Sequence, residues 1–113
     1  MRYGGAKTVT IEPQWFAETS LSSSNAELQD PILGVRWVAV FKGGVYGVQN
    51  DRSFLLLPRP EYGGAERLGF DGDWLVISAW RAIDGTDRTS QVRPVARYNR
   101  RTRELRLINE GVR

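Results

Sequence analysis

Apolar and polar residues alternate with a period near two along much of this chain, the spacing of strands that have two distinct faces. Residues 7–12 (Lys-Thr-Val-Thr-Ile-Glu) are rich in β-branched side chains and stop at Pro13, so they predict a first strand. From Ile32 to Phe41 the two faces are Leu33, Val35, Trp37, Ala39 and Phe41, against Ile32, Arg36, Val38 and Val40. Both faces are largely apolar, which predicts a central strand covered on both sides. Lys42-Gly43-Gly44 is a turn signal, and Val45–Gln49 returns as the partner strand. A turn at Asn50–Ser53 leads to a short strand, Phe54–Leu57, which Pro58 and Pro60 end.

The glycine-rich stretch Glu61–Asp73 predicts loop around a short strand near Arg67–Phe70. Trp74–Ile83 is the next long apolar run. Its β-branched and aromatic content, with Asp-Gly on both flanks, favours a strand over a buried helix. Gln91–Tyr98 and Arg103–Ile108 form a last hairpin across Asn99–Thr102. Helical turns are expected only near residues 14–29: one after Pro13, and one over Ala26–Gln29 capped by Asn25, with the Ser-rich stretch 19–25 as loop. No repeat of solenoid or propeller period is present. The expectation is therefore one β domain over residues 1–113, a small antiparallel barrel or sandwich of six to eight strands, with residues 1–6 flexible.

Composition narrows the chemistry. The chain has neither cysteine nor histidine, so disulfides, thiolate or His-based metal sites and triads built on His or Cys are excluded. Asp71-Gly-Asp73 and Asp84-Gly-Thr-Asp87 lack the spaced carboxylates of a calcium loop and are explained by turn chemistry. No metal or cofactor is expected, and nothing in the sequence points to catalysis. No run of apolar residues is long enough to span a membrane, and Met1–Thr10 holds no signal-type segment; a cytoplasmic chain is expected.

Charge adds an asymmetry to this picture. Fourteen of the sixteen basic residues are arginine. Eight of them fall between Arg88 and Arg113, against only Glu104 and Glu110, whereas residues 1–87 are net acidic. On the last hairpin, alternation places Arg93, Arg97 and Arg106 on one exposed face, with Arg100, Arg101 and Arg103 extending it at the turn. Pro94, which lacks an N–H, suits an edge strand. Trp37, Trp74 and Trp80 are expected in the core. Tyr46, Tyr62, Phe70 and Tyr98 stand nearest polar sequence as aromatics beside the arginines. Trp15-Phe16, between loops, is expected either to plug one end of the fold or to form a sticky contact.

These features predict a non-catalytic module that recognises another protein, or a second copy of itself, through Arg93, Arg97, Arg100, Arg101, Arg103, Arg106, Tyr98, Trp15 and Phe16. The alternative is a nucleic-acid-binding barrel that uses the same arginines. A solvated, charged edge that blocks strand-to-strand aggregation gives the same pattern.

Overall fold

A computed structural model describes residues 7–16, 23–41, 43–58, 65–83 and 86–108, excluding the side chains of residues 7, 81–83 and 86–90. The expectations for Tyr62 and for residues 1–6, 17–22 and 84–85 lie outside the described residues. Among the described residues the regular structure is all β, in nine strands: β1 (Lys7–Thr10), β2 (Ser24–Asp30), β3 (Val35–Val40), β4 (Val45–Gln49), β5 (Arg52–Leu57), β6 (Ala65–Asp71), β7 (Trp74–Ile83), β8 (Thr86–Asn99) and β9 (Glu104–Leu107). They form two antiparallel sheets, ordered β1-β9-β8-β7-β6 and β2-β3-β4-β5.

The sheets face each other because each strand turns one apolar set inward. From the four-stranded sheet come Val35, Trp37, Ala39, Val45, Phe54 and Leu56; Leu75, Ile77, Ala96, Tyr98 and Leu105 oppose them. Trp37 is fully buried and joins the two layers. Its ring lies edge-on to Phe54, centroids 5.8 Å apart, and to Tyr98 across the sandwich, 5.5 Å apart. Gly47 leaves room for this stack, since a Cβ there would lie within 3.0 Å of both the Phe54 and Trp37 rings.

Both open sides of the sandwich are bridged. On one side β2 lies beside β6, pinned near its start by Asn25 Nδ2, which donates to the Ala65 carbonyl (2.9 Å) and to Glu66 Oε2 (3.0 Å). On the other, the chain after β1 crosses from sheet to sheet. Ile11 N still donates to the Arg103 carbonyl (2.9 Å). Pro13 sits in the crossing, where its missing N–H costs no ladder bond. Trp15 then packs edge-on against Phe54 at 4.8 Å, and Phe16 exchanges both backbone bonds with Ser53 of β5.

Several local expectations change. Ala26–Gln29 lies in strand β2, not a helical turn: Ala26 and Leu28 pack on the core while Glu27 and Gln29 face solvent, and all four pair with β3. The last hairpin is not the edge of its sheet, because β1 pairs with β9. Pro94 is nevertheless accommodated, since β8 pairs with β9 only over Ala96–Tyr98. Trp74 and Trp80 leave the core, because Leu75, Ile77 and Ala79 take the inner face of β7 and alternation sends their neighbours outward.

The two-sided apolar character of β3 is borne out. Val38, Val40 and Val48 form a second buried cluster with Tyr46 packed against it. Val38 is only 2% exposed within this single chain. Apolar faces on β3 therefore do not by themselves call for a partner.

Candidate functional site

Two groupings of polar and aromatic side chains stand out, and they differ in what they can do. The first is buried at one end of the sandwich. Asp30 closes β2 and opens the turn Pro31–Gly34, in which Gly34 N donates to the Asp30 carbonyl (2.9 Å) and Gly34 adopts a φ of 69°. The Asp30 carboxylate folds back over this turn, where Oδ1 accepts from Ile32 N (2.9 Å) and Leu33 N (3.1 Å). Oδ1 also accepts from Arg100 Nη1 at 3.0 Å, and Oδ2 from Trp37 Nε1 at 3.0 Å. Arg100 Nη2 donates to the Gly72 carbonyl at 2.5 Å, and its guanidinium lies 4.1 Å from the Phe70 ring centroid. Arg100, expected on the exposed face, is thus buried. Its backbone N–H donates to the Asp73 carbonyl, which turns it inward toward the only buried carboxylate among the described residues.

Burial acts to raise the Asp30 pKa. Hydrogen bonds from Trp37, Leu33 and Ile32, with the Arg100 charge, outweigh it and hold the group below its ordinary value. Such a carboxylate is ionised, fully solvated by protein donors and sealed from solvent, so it is neither a base nor a nucleophile. Tyr98 is buried against Trp37, and desolvation pushes its phenol above the usual range, so it stays protonated at neutral pH. Among the described residues no group of three or more acidic side chains is arranged to hold a metal ion.

The second grouping lies on the outer face of the five-stranded sheet. The Arg97 and Arg106 guanidiniums both lie over the Trp74 ring, at 5.1 and 5.2 Å from its centroid. Arg97 and Arg106 are register partners, and Arg97 is also opposite Val76. On the other side of β7, Arg67 pairs in register with Ser78, and Gly69 with Val76. Gly69 leaves open space where a side chain would stand. Trp80, further along β7, is 42% exposed.

Arg93 does not join this face in the expected way. Ile77 pairs with Ala96 but Ser78 with Pro94, so Val95 is an extra residue that bulges out of the ladder. Arg93 therefore falls opposite the buried Ala79, whereas Arg97 falls opposite Val76 on the outer side. The bulge reverses the face between the two arginines. Of the remaining candidates, Tyr98 is core, Trp15 is half-buried on Phe54 beneath Arg52, and Phe16 is 60% exposed. Trp15 thus packs into the seam between the sheets, while the Phe16 ring is exposed.

The charge asymmetry also resolves in three dimensions. Arg97 pairs with Asp71 (3.1 Å), Arg101 with Asp73 (3.3 Å) and Arg103 with Glu12 (3.4 Å), besides the buried Arg100–Asp30 pair. Every one of these carboxylates comes from the acidic first part of the chain, so much of the C-terminal arginine excess is neutralised on folding. Sequence patterning signalled the arginines but missed Trp74, Trp80, Arg67 and the Asp30 network. The strict alternation of Leu75, Ile77 and Ala79 was the one signal that could have turned the tryptophans outward.

No helix among the described residues is long and apolar enough to cross a membrane. Comparison with protein-family models, with curated proteins and with solved structures gives no match.

Proposed function

We propose that this chain is a non-catalytic binding module that recognises another protein through the outer face of its five-stranded sheet. The observation that carries the proposal is the side-chain content of that face: Trp74 and Trp80 with Arg67, Arg97 and Arg106 around Val76 and an open position at Gly69. Tryptophan and arginine are the residue types most enriched where protein interfaces concentrate their binding energy. The buried Asp30 carboxylate and Tyr98 phenol are both committed to the fold, so the reading gives neither a catalytic role.

The nucleic-acid alternative fares less well. Phosphate-backbone binding draws on several unneutralised cations, yet Arg97, Arg101 and Arg103 already face carboxylates and Arg100 is buried. The Trp74 ring, a natural stacking platform, already carries two guanidiniums.

Site-specific photo-crosslinking in lysate of the native host tests the proposal. A benzophenone side chain at Ser78 is expected to yield a discrete protein adduct, lost when Trp80→Ala is added, while the same group at Asp51 on the far sheet yields none. An adduct of two chains would identify a second copy as the partner. Equal labelling from both positions, or none from Ser78, refutes the assignment. So does tight low-salt binding of a fluorescent oligonucleotide that Arg106→Ala abolishes.

A further inference from the structure

We infer that the segment bound on this face is acidic at two points and apolar between them. This rests on the reading of the face as a protein-docking surface and names the chemistry of its occupant. The charges on the outer face are unevenly placed. Asp71, on β6 opposite Trp74, marks the turn-proximal end, and Asp71 is already bound to Arg97. Glu104 is likewise near that end, with Thr102 donating to it. One step further from the turns, Arg106 has the Trp74 ring as its contact, and Arg67 has no ion-pair partner among the described residues. Among the described side chains of this face, these two arginines are the cations left for an incoming carboxylate.

Their spacing follows from the register. Arg106 lies in the row Gly69–Val76–Arg97–Arg106 and Arg67 in the adjoining row opposite Ser78. Three strand spacings and one two-residue step separate their backbones, about 14 Å by about 7 Å, or roughly 16 Å. An extended chain covers that distance in about five residues. Between the two arginines the surface is Arg97, already held by Asp71, then Val76, Ser78 and the space at Gly69, with Trp80 beyond. An occupant that meets both guanidiniums therefore carries two acidic residues about five positions apart and places an apolar side chain over Val76.

Selection of a random dodecapeptide library on the intact chain tests this. Enriched peptides are expected to carry an Asp or Glu pair at a separation of four to six flanking an apolar residue, by the extended-chain spacing above. Synthetic copies are expected to bind about tenfold more weakly to Arg67→Glu and to Arg106→Glu, and more weakly still to the double variant. Arg106→Gln serves if the reversal disturbs folding, as read by circular dichroism. Enrichment of neutral or basic peptides, or acidic peptides that bind the double reversal as well as the native chain, overturns the inference. If those peptides still lose binding with Trp80→Ala, the docking face itself stands. If neither Trp80→Ala nor the reversals matter, or nothing is enriched, both fall. Tighter binding of a random single-stranded DNA 20-mer than of any selected peptide also overturns both.

Discussion

Removing one partner of the Asp30–Arg100 pair tests the fold at a buried polar contact that ties the two sheets together. The pair joins β2 of one sheet to the β8–β9 turn of the other, with side chains only 0% and 6% exposed. Breaking a buried pair typically costs about 3–5 kcal/mol, because a charge is left in the interior without compensation. The two single substitutions are not equivalent. Arg100→Met leaves the carboxylate its bonds from Trp37, Ile32 and Leu33, so its cost should lie near the lower end, about 3 kcal/mol. Asp30→Ala strands a buried guanidinium with the Gly72 carbonyl as its remaining acceptor. It also leaves the Trp37 indole N–H and two backbone N–H groups unbonded. Each orphaned donor adds about 1–3 kcal/mol, which brings the total near the whole stability of a small domain. Urea unfolding followed by tryptophan fluorescence reads this directly. With a slope of about 1–3 kcal/mol/M, Arg100→Met should lower the midpoint by at least about 1 M. A double-mutant cycle with Asp30→Asn should return a coupling energy of about 2 kcal/mol. A loss below about 1 kcal/mol for Arg100→Met, or additive single effects, would mean that the pair behaves like a solvated surface bridge and that the buried geometry is wrong.

The same network predicts acid sensitivity. The folded pKa of Asp30 lies below its unfolded value, so its stabilisation is present above the unfolded pKa of about 3.9 and is lost as pH falls through the folded one. Native chain should therefore lose more stability between pH 5 and pH 2 than Asp30→Asn does, by urea titration at each pH. Glycine substitutions should separate by what a Cβ would strike. Gly44→Ala, which collides with the Leu57 backbone carbonyl, should be worst; Gly47→Ala, which meets ring atoms of Phe54 and Trp37, should cost about 1–3 kcal/mol; Gly69→Ala should change the thermal midpoint little. At the chain crossing, Trp15→Ala should destabilise by about 2 kcal/mol or more, while Phe16→Ser, at an exposed ring, should stay within about 0.5 kcal/mol in the same assay.

The sequence by itself determined the β class and most of the strands, although six to eight were expected and nine form. Val45–Gln49 and Trp74–Ile83 were legible to the residue, because β-branched and aromatic runs bracketed by Gly, Asp and Asn carry their boundaries locally. The two apolar faces of β3 and the Gly72 turn were legible for the same reason, though not which face meets the other sheet. Residues 26–29 were harder, since Asn25 reads equally well as a helix cap, and only pairing with β3 selects the strand. Tertiary structure decided the rest. Whether an arginine faces solvent depends on a bulge at Val95 that shifts the register by one and so reverses every side chain beyond it. Whether Arg100 is surface or core depends on Asp30, seventy residues away. Whether the basic end of the chain is an open anion surface depends on Glu12, Asp71 and Asp73, which reach it only once β1, β6, β7, β8 and β9 have assembled into one sheet. Periodicity and turn chemistry act between neighbours in sequence, so the chain alone carried them; charge pairing, seam closure and the outward turn of Trp74 and Trp80 act between distant segments, and only the assembly and stacking of the sheets could settle them.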